Sequence, residues 1–293
     1  MTGGAAQDTL FRVRQTLRCA NGRVLDLSQP RVMGILNLTP DSFFAGSRVP
    51  DESALLRQAE QMLQAGAAVL DVGGYSSRPG ADDIPVDEEL RRVLPAVEAL
   101  RKHFPEAFLS IDTFRANVAE QAVQAGADMI NDIGGGELDE AMFATVARLR
   151  VPYVLMHMRG TPQTMTQHTT YTHDLLLELT RYFRDRLTAL QALWPSACVV
   201  LDPGIGFAKT PQQGYEILRR LQELRTVLDL PLLVGVSRKS LVWKPLGLTP
   251  EAALPGTVAL NTLAVLGGAS LLRVHDVAEA QQTVQLVQHV ISS

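Results

Sequence analysis

Two pairs of basic residues near the end of the chain could bind an anionic group. One pair lies within Ser237-Arg-Lys-Ser240, after an apolar run, and the other, Arg273 and His275, ends a later apolar run. Alternate residues of a strand point to the same side, so Arg273 and His275 should face one pocket. An arginine can bind a phosphate through two parallel hydrogen bonds, and a helix predicted from Val277 would add backbone N–H groups. The pattern indicates a phosphate site.

Two alternatives stay open for these basic residues. Arg273 and His275 could instead form surface ion pairs with the neighbouring acids Asp276 and Glu279. Arg238 could contact a ligand or could form a structural salt bridge, and the sequence favours neither.

Three more polar residues, Asp112, Asn131 and Asp202, each follow an apolar run. A buried carboxylate without a partner is costly and takes up a proton instead, so these acids need partners. Together with Lys239 they could bind a flat heterocycle rich in donors and acceptors, such as an aminopyrimidinone. Asp112 or Asp202 could alternatively be a helix N-cap. A metal site formed by these acids is disfavoured, because no pair of histidines at ligand spacing accompanies them.

Several other segments could complete a pocket. Gly204-Ile-Gly206-Phe207 would let the backbone approach a ligand, and Phe207 could either stack on it or pack in the core. Met156-His157 could line a pocket, although ordinary lining of the barrel explains His157 as well. The loops 38–50 and 73–86 are long and rich in glycine or proline, which is typical of binding loops. No Ser-His-Asp or Cys-His set is evident, which favours a reaction driven by binding and charge stabilisation.

Eight apolar runs, each followed by a helix-like stretch, position these residues. The predicted strands are about 31–37, 68–74, 107–113, 128–133, 152–157, 198–203, 231–237 and 270–275. The predicted helices are about 51–65, 87–103, 115–125, 138–149, 172–193, 211–227, 255–267 and 277–291. The pattern predicts an α/β fold, a (β/α)8 TIM barrel, whose active site lies where the strands end. An open doubly wound sheet is less consistent, because no Gly-x-Gly-x-x-Gly fingerprint follows the first strand.

One domain, residues 1–293, is sufficient for this architecture. Residues 1–9 are expected to be flexible. Residues 10–30 contain Asn21-Gly22 between two short apolar segments, which predicts a β-hairpin that closes the N-terminal mouth of the barrel.

The composition excludes some classes of partner. The net charge is −4 and no basic run occurs, so no nucleic-acid surface is expected. No apolar run approaches the roughly 18 residues of a membrane span, so no membrane segment is expected. The two cysteines, Cys19 and Cys198, make no disulfide framework, and Cys198 should be buried. This usage favours a reducing, cytoplasmic location, as does a start at Met1–Gln7 without signal-peptide features.

The chain resembles the dihydropteroate synthase family from about residue 22 onward. The motifs that carry the resemblance are Met33-Gly-Ile-Leu-Asn37-Leu-Thr-Pro-Asp41-Ser-Phe43, Asp71-Val-Gly-Gly74 with Ser77-Arg78-Pro79-Gly80, Ser110-Ile-Asp112-Thr113, Ile130-Asn131-Asp132, Leu155-Met156-His157, Leu201-Asp202-Pro-Gly-Ile-Gly-Phe207, Ser237-Arg-Lys239-Ser240 and Arg273-Val-His275-Asp276. Two loops depart from the usual family pattern. Tyr75 and Ser77 stand where the family usually has Glu and Thr, and Phe44 and Ala45 where it usually has Ser and Asp.

The resemblance implies the reaction and the role of each residue. The family condenses 6-hydroxymethyl-7,8-dihydropterin pyrophosphate with p-aminobenzoate, through loss of pyrophosphate, to give 7,8-dihydropteroate for folate biosynthesis. The implied pterin-binding residues are Ser77, Asp112, Asn131, Met156, Asp202, Phe207, Gly235 and Lys239. Pyrophosphate would contact Asn37, Arg273 and His275, with Mg²⁺ on Asn37, and p-aminobenzoate would contact Phe43, Arg78, Pro79 and Ser237. Catalysis would depend on Asp112, Lys239, Arg273 and His275.

The family generally forms homodimers through late helices, and the stretch 255–269 is compatible with that. Two other functions stay open: transfer of a methyl group from methyltetrahydrofolate to a corrinoid, and pterin binding without catalysis. The first has no need of Lys239, Arg273 and His275 around a pyrophosphate, and the second has no use for leaving-group chemistry.

Overall fold

A computed structural model describes residues 16–19, 21–38, 52–77 and 83–292. Residues 1–9, predicted to be flexible, lie outside this part of the chain. The described strands are β1 Thr16–Arg18, β2 Val24–Asp26, β3 Arg31–Asn37, β4 Val69–Gly73, β5 Phe108–Asp112, β6 Met129–Asp132, β7 Tyr153–Met156, β8 Val199–Asp202, β9 Leu233–Val234 and β10 Leu271–Val274. The described α-helices are α1 Glu52–Gln64, α2 Val86–His103, α3 Ala116–Gln124, α4 Met142–Leu149, α5 Leu175–Leu193, α6 Pro211–Arg219, α7 Leu221–Leu228, α8 Ser240–Trp243, α9 Leu254–Leu266 and α10 Val277–Ser292.

Strands β3 to β10 form one parallel barrel, as predicted. Their order is β8-β7-β6-β5-β4-β3-β10-β9, and a parallel bridge between Leu201 and Leu232 joins β8 to the start of β9. The N–H group of Leu201 also donates to the carbonyl of Pro231 over 2.9 Å. The sheet therefore closes on itself, which rules out the open doubly wound alternative.

The side chains that face the barrel axis change from apolar to polar along the strands. The lower layer contains the apolar residues Met33, Val69, Phe108, Met129, Val154, Val200, Leu233 and Leu271. Two or four residues further along, all of these strands except β7 lead to a polar side chain, because alternate residues share a face. The buried layer between the barrel and its helices is mostly apolar, although it also contains buried polar groups such as Asp132, His157 and Lys209. The polar side chains that face the barrel axis lie toward the carboxyl ends of the strands.

The N-terminal hairpin has the predicted structural role. Strand β1 pairs antiparallel with β2, and Gly22 supplies the turn with a positive φ of 84°. Leu17, Cys19, Leu25 and Leu27 are buried against the lower layer of the barrel. The hairpin therefore seals the end of the barrel opposite the polar residues.

Three details differ from the sequence predictions. The predicted strand 231–237 contains only Leu233–Val234, because the chain turns away where the N–H of Lys239 donates to the Val236 carbonyl. The predicted helix 211–227 is two helices, since Arg220 leaves helical geometry (φ −110°) while its guanidinium pairs with Asp174. Cys198 is half-buried, and the buried thiol is Cys19, beneath the hairpin. Within the described part of the chain, none of the helices could cross a membrane.

Candidate active site

The barrel register brings the predicted polar residues to one level. Asp112 on β5 lies beside Asn131 on β6, and Met156 on β7 lies beside Asp202 on β8. Asp202 and Asn131 are buried, and the Asp112 side chain is 13% exposed. We call the polar side chains at this level the polar floor: Asp112, Asn131 and Asp202, as the sequence predicted, together with Asp71 and Lys239.

Arg273 connects two carboxylates in this floor. Its Nε donates to Asp71 Oδ2 over 2.6 Å, and its Nη2 donates to Asp112 Oδ2 over 2.5 Å. Burial raises the pKa of Asp112 from 3.8 to about 7, although the Arg273 charge acts in the opposite direction. A carboxyl group with this pKa is partly protonated near neutrality. Ionisation of Asp112 therefore depends on what binds beside it.

Asp71 is a site residue that the sequence analysis did not assign. It is fully buried, and its Oδ2 accepts hydrogen bonds from both Arg273 and Asn131, the latter over 2.9 Å. Its Oδ1 has no hydrogen-bond partner among the described residues. A lone acid within the apolar run Val69–Val72 was the available signal, because an unpaired charge there would be costly. Asp71 therefore fixes the position of Asn131, a predicted pterin residue, relative to Arg273, a predicted pyrophosphate residue.

Asp202 and Lys239 form the opposite side of the floor. Asp202 Oδ1 accepts the N–H of Gly204 over 2.7 Å, and Lys239 Nζ donates to the carbonyl of Ile205. Burial lowers the pKa of Lys239 to about 8 and raises the pKa of Asp202, while the attraction between the two charges opposes both effects. The helix N-cap interpretation is wrong for both acids, since Asp202 closes a turn and Arg115, not Asp112, is the N-cap of α3.

An apolar wall stands beside this floor. We define the apolar wall as the packed cluster of Ile133, Met156, Met158, Met165 and Ala208 with Phe114, Leu138 and Phe207. Lys239 Nζ lies 4.7 Å from the centre of the Phe207 ring. The space between the polar floor and the apolar wall forms a slot. A Cβ atom added at Gly235 would lie 3.7 Å from Arg273 Cβ and 3.8 Å from Lys239 Nζ, so any side chain there would narrow this slot. Met156, Phe207 and Gly235 thus occupy positions suited to a flat ring.

The predicted pyrophosphate residues lie at the edge of the floor. Arg273 lies on β10 and His275 comes directly after that strand, and helix α10 begins at Val277, so backbone N–H groups lie close by. The Ser237 hydroxyl lies 3.0 Å from His275 Nδ1 and accepts the His275 backbone N–H over 3.2 Å. Asn37 ends β3, beside Gly73.

The structure decides between the interpretations of Arg238 and Arg273. Arg238 forms the ion pair with Asp276, through bonds of 3.1 and 2.5 Å, and its side chain is 41% exposed. Arg273 instead pairs with the internal acids Asp71 and Asp112. Arg238 is therefore a structural residue, whereas Arg273 belongs to the pocket.

His157 lies outside the pocket. It is buried among Tyr171, Tyr182 and Phe183 on the helix side of the barrel, and Lys209 Nζ lies 2.8 Å from its Nδ1. Burial, and next the charge of Lys209, lower the pKa of His157 well below its usual value. His157 therefore has the ordinary structural role that the sequence allowed, although on the outer side of the barrel.

Some of the predicted contacts with the second substrate cannot be placed. Phe43, Arg78 and Pro79, together with the departures at Phe44 and Ala45, lie outside the described residues. Ser77 lies at the end of a described stretch after β4 and is half-buried. Ser237 is the predicted p-aminobenzoate residue that the structure does place, and it is buried beside His275.

We expect Ser237→Ala to raise the KM for p-aminobenzoate severalfold. Because the Ser237 hydroxyl also orients His275, the variant should bind a pyrophosphorylated pterin more weakly and the corresponding alcohol equally well. Steady-state kinetics with each substrate varied, and calorimetry with both pterins, would measure these effects. Ser270→Ala, a buried serine at the opposite end of β10, should change neither. Equal losses for both pterins would contradict the assignment.

Comparison with known proteins identifies the family to which this site belongs. The family described as pterin binding enzyme matches residues 33–275. The chain belongs to the pterin binding enzyme family. The matched span takes in β4 to β10 and most of β3, so it contains Asn37, His275 and every predicted site residue between them.

Several proteins to which this chain is similar are named dihydropteroate synthase. The protein with that name from Synechocystis sp. is 45% identical over 254 residues, which cover 86% of this chain and 86% of that protein. A folic acid synthesis protein of Pneumocystis carinii is also 45% identical over 85% of this chain, but the chain spans only 34% of that longer protein. The structure of a Yersinia pestis dihydropteroate synthase with a sulfonamide drug complex is similar at a TM-score of 0.86 and 41% identity, covering 95% of this chain and 100% of that one.

Proposed function

We propose that this chain is a dihydropteroate synthase, which joins 6-hydroxymethyl-7,8-dihydropterin pyrophosphate to p-aminobenzoate. The observation that carries the proposal is the position of Arg273. Its guanidinium pairs with Asp71 and Asp112 of the polar floor, and its strand leads within four residues to the start of α10. One arginine could therefore serve both a ring site and an anion site. A site that only bound pterin would need the floor but not this basic edge.

The polar floor would recognise the edge of the pterin ring. Asp112 and Asp202 would accept N–H groups of the ring, and Asn131 and Lys239 would complete the hydrogen bonds. The Met156 and Phe207 side chains would contact the faces of the ring. Because the ring displaces water, each of these interactions becomes stronger than it would be in solvent.

The basic edge would stabilise the leaving group. The bond between the pterin methylene carbon and the diphosphate oxygen breaks, and the electron pair departs with the diphosphate, whose charge Arg273 and His275 bind. Asp112 and Asp202 stabilise the positive charge that develops on the pterin. The amine of p-aminobenzoate then donates its lone pair to the methylene carbon and releases one proton to water. Holding the amine near that carbon would supply much of the remaining acceleration.

Mg²⁺ is part of the proposal. Within the described ranges, no group of three or more His, Cys, Asp or Glu side chains could hold a metal ion. The half-buried amide of Asn37, at the end of β3, nevertheless fits magnesium, which commonly binds one or two protein oxygens together with substrate phosphates and water. Bound in this way, the ion would neutralise negative charge on the diphosphate.

The second substrate would bind beside Ser237, near the loops that carry Phe43, Arg78 and Pro79. We propose that sulfonamides, which are arylamines like p-aminobenzoate, compete at the same place, as the drug complex of the Yersinia pestis relative suggests. We also propose a cytoplasmic location, in keeping with the two free thiols of Cys19 and Cys198.

The direct test of function is an assay with purified protein, both substrates and Mg²⁺. The proposal predicts dihydropteroate and pyrophosphate in equal amounts, and little of either after chelation of the metal. Tight pterin binding without turnover would instead identify a non-catalytic pterin-binding protein. Methyl transfer from methyltetrahydrofolate to a corrinoid would identify the other alternative.

We further propose a homodimer formed by the last two helices. Helices α9 and α10 pack against each other and carry large apolar side chains that are more than half exposed, namely Leu263, Leu266, Leu286, Val290 and Ile291. Exposed apolar residues grouped in this way are typical of protein interfaces.

Sedimentation experiments should give twice the monomer mass for the unmodified chain. The double variant Leu286→Glu/Val290→Glu should give the monomer mass. Glutamates on this face would place buried, unpaired charges in the interface. Leu193→Glu, at an equally exposed leucine at the end of α5, is the matched control and should stay dimeric. A monomeric unmodified chain, or a dimer that survives both glutamates, would contradict the proposed interface.

A further inference from the structure

Tyr75 is a buried tyrosine on a pocket loop for which the proposed reaction has no role. It follows β4 by two residues and is only 7% exposed. Its ring meets the edge of Phe114 with centroids 5.0 Å apart and an interplanar angle of 86°. Its hydroxyl accepts a hydrogen bond from Gln163 Nε2 over 2.6 Å. The contacts of Tyr75 therefore join the segments that follow β4, β5 and β7.

Both of these contacts lead to the apolar wall. Phe114 is itself a member of the wall and packs against its buried residues. Gln163 lies in a tight turn in which the N–H of Met165 donates to the carbonyl of Thr161 over 2.7 Å, and Met165 is a buried member of the wall. Gln163 thus has a fixed position relative to Met165, and its bond to Tyr75 spans 88 residues of sequence. Through these two contacts, Tyr75 connects Phe114 to the turn that contains Met165.

The charges around Tyr75 explain why an uncharged side chain suits this position. The guanidinium of Arg115 lies 5.3 Å from the centre of the Tyr75 ring. It is already neutralised by Glu89 Oε2 at 2.7 Å and Asp83 Oδ1 at 3.0 Å. A glutamate at position 75, the usual residue of the family, would bring a third carboxylate to Arg115. It would be repelled by Glu89 and Asp83 and would find no unpaired cation there among the described residues. Tyr75 instead provides an aromatic contact and a hydroxyl.

We propose that Tyr75 and Gln163 are positioning residues for the pterin site. They act through the apolar wall, by holding Phe114 and the Met165 turn in place so that Met156 and Phe207 keep the slot at the width of a flat ring. Tyr75 also sets the backbone from which Ser77, a predicted pterin contact, projects two residues later. This inference rests on the proposed function, because it takes the slot to be a pterin site.

The test is calorimetric binding of 6-hydroxymethylpterin to the full chain, which needs no turnover. Tyr75→Phe and Gln163→Leu each remove the hydrogen bond, and each should weaken binding about threefold to tenfold, the range expected for one net hydrogen bond. The double variant should lose no more than the weaker-binding single variant, since both changes break the same bond. The KM for p-aminobenzoate should change less than the pterin affinity.

Tyr215→Phe is the matched control. Tyr215 also makes one hydrogen bond over 2.6 Å, to the carbonyl of Leu241, but it does not touch the apolar wall. This variant should be less stable to heat and should bind pterin normally. Unchanged pterin affinity in Tyr75→Phe, or losses that add in the double variant, would overturn the inference while leaving the proposed function intact. Absence of pterin binding by the unmodified chain would overturn both.

Discussion

Replacing Arg273 by alanine should weaken binding of a pyrophosphorylated pterin far more than binding of the same pterin with a free alcohol. Arg273 pairs with Asp71 at 2.6 Å and with Asp112 at 2.5 Å, so the change also leaves two buried carboxylates without their cation. Removing one member of a buried, hydrogen-bonded charge pair costs on the order of 2–5 kcal/mol. We therefore expect a lower free energy of unfolding as well as a lost anion site. Calorimetry with both pterins, and urea denaturation, would measure the two effects.

Two further variants separate these effects. Arg238→Gln breaks an exposed ion pair at the same end of the barrel and should cost less than about 1 kcal/mol. Adding Asp71→Asn to Arg273→Ala removes one of the unpaired charges, so stability should partly return while diphosphate affinity should not. Equal losses for both pterins in Arg273→Ala would show that the residue does not bind the leaving group.

Replacing Asp112 by asparagine should make the free energy of pterin binding less favourable by about 2–4 kcal/mol. The amide is a poorer acceptor than the carboxylate for the N–H groups of the ring. The pH dependence should change too. The pKa of Asp112 is raised to about 7, so the unliganded carboxyl gains a proton as the pH falls through that value and loses its charge. Pterin affinity of the unmodified protein should therefore rise as the pH increases through about 7, below the pH of about 8 at which Lys239 begins to lose its charge. This step should be absent from the variant when affinity is measured by calorimetry across that range.

Asp132→Asn provides the comparison for this experiment. Asp132 is also buried with a raised pKa, of about 6, but its oxygens accept bonds from the Tyr153 hydroxyl and the Gly134 N–H group, away from the pocket. That variant should be less stable and should keep a pH step in pterin affinity, moved to lower pH because the Asp132 charge helps to raise the pKa of Asp112. A step that persists in Asp112→Asn would assign the titration to another group.

Several strand ends were predictable because β3, β5, β6 and β8 are apolar runs that end at a polar residue. Asp112, Asn131 and Asp202 could be placed at one level before any coordinates, since parallel strands share the position of their carboxyl ends. The Arg273 side chain could be placed in the pocket but its partners could not, because Asp71 is 202 residues away in sequence. Long-range pairs of this kind depend on the closed geometry of the whole barrel.

The shortened strand β9 was not predictable from its apolar residues. Leu232 to Val236 read as one continuous strand, but the turn at Lys239 and the positive φ of Arg238 (55°) take the chain out of the sheet early. The sequence likewise places Tyr75 on a binding loop, whereas the contact with Gln163, on another loop, buries it. For β9 the backbone turn at Lys239 overrides the apolar pattern of the sequence, and for Tyr75 a contact between two loops overrides the loop pattern.

The most direct test of the central claim is a crystal structure of the protein with 6-hydroxymethylpterin bound. The account predicts the edge of the ring against Asp112, Asn131, Asp202 and Lys239, its faces against the apolar wall, and its hydroxymethyl group directed toward Arg273. A ring bound elsewhere, or one in this slot with Asp112 and Asp202 turned away into water, would contradict it.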